Sequence, residues 1–475
     1  MPKRSGDSSG TGSVKKAREP DLDYDPLPAS VTFVETVERW IEPVNFTKSS
    51  PFTFWLENKE PYVLWDLNKC MVHAEVDIEK PGGDNPGKDD VWSLINNAGP
   101  SIFGDVEVQF NQGEPVSQTT DEPAFCAYLQ QLLTQPMELA NTAGHLKGYY
   151  VQQADEFDET EMKRAIAYEQ KGDKSVTMPV PANSLSRQNA AFYIKADGTL
   201  GEYHSREFMF TLDSVTPFCC SQHLPWGYAM KLTFKQSPDK FMILSKDESD
   251  LRVRMKRLRM QMVGNRLAPD EFQKYFTDSA LRKELTMPVT KRTIYQRLLD
   301  KGVRTFRLGN FLQGNLLPPM FLLGFRHQDK STTTTTANAY HFPNLALDWL
   351  YVEKNSKQIP KERYEFNWEE GKYGPAYYDL QTLVNARNWG TFQLPYDAYS
   401  KCFILGFNTT NDNQPCKAVQ RANETGEISI NFQLKTPLQA RSDWAIWMLA
   451  IYDGEVTFRP DGKVVASWMT EKTGP

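Results

Sequence analysis

Three short stretches of the sequence contain residue types that could do chemistry. GDSSG, residues 6–10, matches the G-x-S-x-G pattern around a serine nucleophile. GGDNPGKD, residues 82–89, resembles a phosphate-binding loop. CCSQH, residues 219–223, offers two thiols and an imidazole to a metal ion. Each of these chemistries requires a particular structural element to position its residues.

None of the three stretches has the context that its chemistry requires. A nucleophile elbow needs a strained strand-turn-helix, which the Ser/Gly-rich residues 1–30 cannot supply. In the second stretch Pro86 removes a backbone N–H, and Asp89 stands where Ser or Thr would hold Mg²⁺. Adjacent cysteines rarely share one tetrahedral zinc. We therefore expect no catalytic residue, no metal site and no cofactor, and the protein is predicted not to be an enzyme.

The N-terminal arm, residues 1–30, is predicted to be mobile because it has too few large apolar residues to fold. Two basic clusters within it are separated by ten residues, which is the spacing of a bipartite nuclear-import signal. The arm could also be a solubilising tail or could contact DNA phosphates. The residues of the predicted signal are Lys3, Arg4, Lys15, Lys16 and Arg18.

A second basic cluster lies in LRVRMKRLRM, residues 251–260. Alternation puts the first three basic residues on one face of a strand, and the phase slips at Arg257, as at a β-bulge. This face could contact DNA, could pair with acids at a subunit contact, or could simply be solvated. The residues concerned are Arg252, Arg254, Lys256, Arg257 and Arg259.

The composition limits the class of protein. The net charge is −6 at pH 7, so the whole chain is not a general nucleic-acid binder. No apolar run approaches the roughly 18 residues of a membrane span, and residues 1–12 lack the apolar core of a secretory signal. We expect an intracellular protein with no membrane span and with reduced thiols.

Strands dominate the predicted secondary structure. In EISINFQLKT, residues 427–436, Ile428, Ile430, Phe432 and Leu434 keep a period of two, which indicates a strand with one buried face. Similar short runs separated by Pro/Gly/Asn-rich loops favour β-sandwiches or jelly rolls. The clearest helix is predicted at residues 269–285.

Part of this pattern occurs twice. VEVQFNQGEPV, residues 106–116, and LYVEKNSKQIP, residues 350–360, both read as a strand that reaches a polar tip at an asparagine. A Pro-Ala-aromatic helix start follows each, at Pro123 and Pro375. The offsets are 244 for the asparagines (355 minus 111) and 252 for the prolines (375 minus 123). We infer two homologous halves, residues 31–245 and 246–475.

The same residues carry a resemblance to a known family. The sequence resembles the major capsid proteins of polinton/Maverick elements and adintoviruses, although Pro100 replaces a histidine that is common in them. The resemblance implies an all-β fold of two tandem eight-stranded antiparallel jelly rolls, a double jelly roll. It covers roughly residues 45–465, and the motifs that carry it are residues 96–116, 124–133, 308–325, 345–360 and 428–458.

The resemblance also implies a function and partners. A chain of this family forms homotrimeric, pseudo-hexameric, hexon-like capsomers that tile an icosahedral shell around double-stranded DNA. Its partners would be further copies of itself, a penton or minor capsid protein, the packaged DNA without sequence preference, and a nuclear import receptor. We therefore expect the protein in the virion of a DNA virus, and in the host nucleus during assembly.

Three alternatives remain open at this stage. One is a cupin-like metal-dependent enzyme, although the histidines lack the close pairing that such a site needs. Another is a lectin-like protein that stacks sugars on an aromatic residue such as Trp389. The third is a capsid homologue domesticated by its host.

Overall fold

A computed structural model describes most of the chain. The residues described are 33–46, 50–86, 92–111, 113, 115–116, 123–136, 139, 143–150, 192–194, 200–218, 223–245, 249–275, 284–327, 335, 338–387, 390–410, 424–438, 443–459 and 461–468.

Strands make up most of the described structure, as the alternating sequence pattern predicts. The strands of the first half are β1 (Phe33–Ile41), β2 (Phe52–Glu57), β3 (Val63–Asp66), β4 (Met71–Glu79), β5 (Trp92–Leu94), β6 (Phe103–Phe110), β7 (Phe192–Ile194), β8 (Leu200–Tyr203), β9 (Arg206–Thr211), β10 (His223–Leu224), β11 (Ala229–Gln236), β12 (Ile243–Ser245) and β13 (Arg252–Leu267). Those of the second half are β14 (Leu285–Leu298), β15 (Thr305–Leu316), β16 (Met320–His327), β17 (Leu347–Lys354), β18 (Lys357–Glu365), β19 (Ile404–Asn408), β20 (Thr425–Leu434), β21 (Trp444–Phe458) and β22 (Val464–Trp468).

The α-helices of the described residues are short and lie between strands. They are α1 (Ala98–Ser101), α2 (Pro123–Thr134), α3 (Asp239–Met242), α4 (Pro269–Tyr275) and α5 (Gly374–Ala386). Helix α4 begins at Pro269 as predicted, but Leu285, the predicted last helical residue, instead begins strand β14. Leu285 packs against the core from the edge strand of a sheet, and this long-range contact overrides its helix propensity.

Each half is a sandwich of two antiparallel sheets with the same strand order. In the first half β1, β13, β4 and β9 are consecutive neighbours, and the facing sheet is β2-β11-β6. In the second half the order is β14-β21-β16-β19, facing β15-β20-β17-β18. The facing sheets meet through aromatic side chains, with Phe103 near Phe210 in one sandwich and Phe325 near Phe432 in the other.

The strand pairing places the end of the first sandwich later in the chain than the sequence predicts. The predicted boundary at residue 245 assigns β13 to the second half, but β13 pairs with β1, β3 and β4. The first sandwich therefore extends at least to Leu267. The charged run at residues 245–250, which suggested a linker, precedes the strand that completes this sandwich.

Candidate assembly surfaces

The two asparagine tips have the same geometry. Asn111 and Asn355 follow β6 and β17 with φ of 50° and 48°, a left-handed conformation that asparagine tolerates. The Asn111 N–H donates to the Ala229 carbonyl at 2.8 Å, and its Oδ1 accepts from the Ala229 N–H at 2.9 Å. Asn355 makes the same pair of bonds with Glu427, at 3.1 and 3.0 Å. The two halves therefore share the asparagine tip that the sequence repeat predicts.

The strands that lead to the tips are also equivalent. Strand β6 pairs with β11 and β17 pairs with β20, so that each asparagine lies opposite the residue with which it exchanges hydrogen bonds. The buried positions fall at the same four places, Phe103, Val106, Val108 and Phe110 in β6 and Leu347, Leu350, Val352 and Lys354 in β17. Lys354 is the one polar residue among these eight. Its ammonium donates to the Thr409 carbonyl and forms an ion pair with Glu424.

Helices α2 and α5 follow the tips and differ in how they are covered. Helix α2 is buried on nearly all sides. Helix α5 buries one face, where Leu380 and Leu383 approach Gly406 so closely that a Cβ there would lie 2.8 Å from Leu383. Its opposite face is exposed, and the Tyr378 side chain is 64% accessible. The exposed residues of this face are Pro375, Tyr378, Thr382 and Asn385.

A tyrosine anchors the seam between the two sandwiches. Tyr340 of the second half is fully buried and stacks on Tyr128 of α2, with ring centroids 4.0 Å apart. Its hydroxyl lies 2.6 Å from the Ser101 hydroxyl and donates to the Ala124 carbonyl at 3.1 Å. Every polar atom of the Tyr340 side chain is therefore satisfied inside the first half, which makes its burial favourable.

Around this anchor, α2 covers a sheet face of the second sandwich. Phe125 packs against Trp447, and the Arg326 guanidinium lies 4.8 Å from the centre of the Phe125 ring. Arg292 Nη2 is 3.5 Å from Gln130 Oε1. Trp447 belongs to β21 and points away from the core of its own sandwich, yet it is fully buried because the seam covers it.

Further contacts extend the seam beyond α2. The Thr290 N–H of β14 donates to the Pro217 carbonyl at 2.8 Å, and Phe218 forms a β-bridge with Val289. Asn111 Nδ2 donates to the Gly462 carbonyl at 3.0 Å, next to a Phe110–Phe458 ring contact. The two sandwiches thus share one continuous buried core.

The predicted basic strand is β13, and the structure places its charges beside acids of the same sheet. The register of β13 against β4 shifts between Met255 and Arg257, so the predicted bulge is confirmed. Lys256 Nζ lies 2.9 Å from Glu75 Oε1, and Arg254 Nε lies 3.5 Å from Glu79 Oε2. Exposed pairs of this kind contribute under about 1 kcal/mol each. The acids nevertheless reduce the net positive charge on the outer face of β13.

The other basic residues of β13 lie along the same ladder. Arg252 is opposite Glu79 and Arg257 is opposite Glu75, and both are exposed. Arg259 donates from Nε to Nδ1 of His73 at 2.8 Å, and its guanidinium covers the Trp40 ring at 4.2 Å. Burial and the neighbouring Arg259 charge lower the pKa of His73. The assignment of this strand to DNA or to a neighbouring subunit stays a prediction.

Other predicted sites lie partly or wholly outside the described residues. The import residues Lys3, Arg4, Lys15, Lys16 and Arg18, the cysteines at 219 and 220, and Trp389 are all outside them. Across the described ranges no group of three His, Cys, Asp or Glu side chains could hold a metal ion. In the same part of the chain no helix has both the length and the apolar character of a membrane span.

The residues that form the seam were not singled out from the sequence. Tyr340 lies in an irregular segment, NAYHFPN, that has no periodicity to suggest burial. Arg292 and Arg326 lie in strands where an arginine ordinarily indicates exposure. The absence of charged residues from α2, together with its many apolar residues, was the one available signal, because a helix without a charged face is usually covered on most sides.

Comparison with known proteins identifies the fold. The sequence matches no protein-family model and no curated protein. A chain in the cryo-EM structure of the Sputnik virophage superposes with a TM-score of 0.60 and 12% identity, over 97% of this chain and 94% of that chain. The mavirus major capsid protein gives 0.50 and 14%, over 100% and 99%. A chain of the PBCV-1 virus capsid gives 0.52 and 9%, over 94% and 99%.

At these low identities the likeness establishes the fold alone. The protein is a double jelly roll of the kind found in these virophage and viral capsid structures. The fold class that the polinton and adintovirus resemblance implies is therefore confirmed.

Proposed function

We propose that this protein is a structural major capsid protein. The observation that carries the proposal is the duplication itself. Two homologous jelly rolls are joined through a continuous buried seam, and the pair spans nearly the full length of capsid chains of the same fold. A fold does not by itself determine a function, but a duplicated pair of joined sandwiches is the arrangement that a pseudo-hexameric capsomer requires.

The oligomer we propose is a homotrimer. The seam is heterologous, since the first sandwich contributes α2 and the second contributes a sheet face. A contact of this type generates a closed ring when it is repeated between chains and the rotation closes, and three chains would place six similar sandwiches in one ring. Such a ring has a pseudo-sixfold outline and can tile the flat faces of an icosahedral shell.

Native mass tests this proposal. Size-exclusion chromatography with light scattering on the full chain should give a species of about three times the 54.4 kDa chain mass. An obligate interface should bury more than about 2,000 Å², so the species should persist on dilution. A monomer at every concentration would contradict the proposal.

We extend the proposal to packaged DNA and to a penton or minor capsid protein. The acids beside the basic residues of β13 lower its attraction for phosphate, so any DNA contact should be weak, independent of sequence and strongly dependent on salt. Binding of a labelled duplex by assembled particles at 50 and 200 mM salt tests this. Tight binding that does not change with salt would contradict it.

We also propose that the N-terminal arm directs nuclear import, which places the protein in the host nucleus before it enters the virion. The proposal rests on the spacing of Lys3 and Arg4 from Lys15, Lys16 and Arg18. Residues 1–30 fused to a fluorescent protein should concentrate it in nuclei. Replacing Lys15, Lys16 and Arg18 by alanine should abolish this, and an unchanged distribution would refute the signal.

Catalysis has no part in the proposed function. Metal analysis of the purified trimer should show no stoichiometric metal, as expected from the dispersed ligands among the described residues. Stoichiometric zinc or iron would instead favour the cupin-like alternative. Tight, specific glycan binding by a monomer would favour the lectin-like one.

A further inference from the structure

A cluster of side chains on the outer face of the first sandwich encloses a histidine. His73 of β4 lies opposite Arg259 of β13, on the side of the sheet that faces away from the core. It is nevertheless only 4% accessible, whereas Glu75 and Asp77 on the same face are half-buried. The Trp40 ring of β1 lies edge-on to the imidazole at 6.1 Å between centroids, and the Arg259 guanidinium covers Trp40 at 4.2 Å. Side chains of β1 and β13 therefore cover the imidazole of β4.

The hydrogen bond from Arg259 determines the protonation state of His73. Arg259 Nε donates to the imidazole Nδ1 at 2.8 Å. Because a guanidinium has donors and no acceptor, Nδ1 must carry a lone pair, and the neutral ring has its proton on Nε2. Nε2 lies 3.8 Å from Glu207 Oε1 of β9. A second proton has to enter at Nδ1, where it would point at the Arg259 N–H and remove the hydrogen bond.

Charged groups approach the imidazole from its own strand and from both neighbouring strands. Those that disfavour protonation are Arg259 and Arg257 of β13, and those that favour it are Glu207 of β9 and Glu75 of β4. The two acids compensate poorly, because the Glu207 side chain is 67% accessible and Glu75 is already paired with Lys256. Burial, and then the Arg259 charge, hold the pKa of His73 below its ordinary value.

Strand β1 is the element that this cluster helps to hold. Among the described strands it pairs with β13 alone, and most of its side chains are exposed. Glu38, on the same face as Trp40, accepts a hydrogen bond from Gln261 at 3.0 Å, which is also exposed. The contact between Arg259 and Trp40 adds an aromatic interaction to the backbone ladder of β1. Loss of that contact would weaken the attachment of an edge strand.

We propose that His73, Arg259 and Trp40 form an acid-sensitive latch that loosens strand β1 when the imidazole is protonated. Protonation of Nδ1 breaks the hydrogen bond from Arg259 and places two positive charges side by side, so the guanidinium moves away. The Trp40 ring then loses the cation that covers it. The inference does not depend on the proposed function, because the latch lies within one sandwich of one chain. In a capsid it would loosen the first sandwich in an acidic environment.

The direction of the effect follows from proton linkage. In the closed latch the pKa of His73 is lowered, whereas opening returns it toward the value of about 6.5 of a free histidine. Between these two values the open state binds a proton that the closed state does not. Opening should therefore become easier by up to about tenfold for each pH unit below about 6.5.

Hydrogen–deuterium exchange of the full-length chain tests the latch. After correction for the intrinsic pH dependence of exchange, the protection of residues 33–41 should fall by up to about tenfold between pH 7.5 and 5.5. Residues 425–434, in the central strand β20 of the second sandwich, provide the comparison and should be better protected at every pH, because β1 opens locally. Unchanged protection of β1 would overturn the proposal. Protection of β1 equal to that of β20 would also overturn it, because β1 would then open only when the whole molecule unfolds.

Two substitutions identify the groups responsible. His73→Gln keeps an acceptor for Arg259 and cannot be protonated, so the fall in β1 protection with pH should disappear. Arg259→Met keeps an aliphatic side chain but removes the guanidinium, so β1 should be less protected than in the parent at pH 7.5 and should change less with pH. A fall of parental size in His73→Gln, or parental protection at both pH values in Arg259→Met, would contradict the latch.

Discussion

At the scale of single residues, the account depends most on Tyr340. The Tyr340 side chain extends from the second sandwich into the first, where it is fully buried. The sequence around it gives no reason to expect burial. The exposed Tyr378 offers a matched comparison, because it is the same residue type on the surface of the second half.

Truncation of the Tyr340 side chain should therefore strongly lower the stability of the fold. Tyr340→Ala should lower the free energy of unfolding by about 3–5 kcal/mol, as for other buried aromatic residues. Tyr340→Phe should cost about 0.5–1.5 kcal/mol through the lost hydrogen bonds. Denaturant titration measures both. Tyr378→Ala should stay within about 0.5 kcal/mol of the parent, and equal costs at the two tyrosines would refute the role given to Tyr340.

A second prediction concerns the stability of variants at the Asn355 tip. Asn355→Ala loses the bond to the Glu427 N–H and places alanine in a left-handed conformation, so it should cost about 2 kcal/mol. Asn355→Asp keeps the accepting Oδ1 and should cost under about 1 kcal/mol. Thermal melts of the two variants and the parent give the comparison, and a ranking with aspartate worse than alanine would contradict this geometry.

His73 should make stability depend on pH. Burial, and then the Arg259 charge, hold the pKa of His73 below its ordinary value, whereas an unfolded histidine has a pKa of about 6.5. Below that pH the unfolded chain binds a proton that the folded chain does not, so stability should fall as pH drops from about 6.5.

The test compares His73→Gln with the parent. The variant should lose less melting temperature between pH 7.5 and 5.5. Some dependence should remain, because burial also lowers the pKa of His145 and His223. An unchanged slope in the variant would show that His73 does not contribute.

At the scale of elements, helix α5 depends on a close approach to β19. Gly406 has no side chain, and a Cβ there would lie 2.8 Å from Leu383 and 3.2 Å from the Leu380 Cα. The helix must move for any larger residue to fit, because backbone atoms cannot rotate away.

Gly406→Ala should therefore destabilise the protein by about 1–3 kcal/mol, the usual cost of overpacking. Gly309→Ala is the matched control, since nothing lies within 4 Å of a Cβ at that strand glycine. It should be neutral or slightly stabilising. Denaturant midpoints compare the two, and a neutral Gly406→Ala would mean that α5 packs more loosely than described.

The sequence predicted the individual strands better than it predicted which strands pair. Alternation located β20, where Ile428, Ile430, Phe432 and Leu434 are all fully buried, because period two is a local property. It also located the bulge at Arg257. It could not predict that β13 belongs to the first sandwich, because Glu75 and Glu79 lie about 180 residues earlier and pairing over such separations leaves no local pattern.

At the scale of the whole molecule, the duplication explains why the same elements occur in both halves. The recurring asparagine tip, strand order and helix show that one architecture is used twice. The seam uses a helix from one copy of that architecture and a sheet from the other. The faint sequence repeat was enough to predict two halves, but not to predict which surfaces join them, because the residues of the seam differ between the halves.

Electron microscopy of the purified full-length protein tests the central claim most directly. Top-view class averages should show three chains arranged as six similar lobes with a hexagonal outline. Isolated two-lobed particles at every protein concentration, or a closed ring with a number of chains other than three, would contradict the capsomer proposed here.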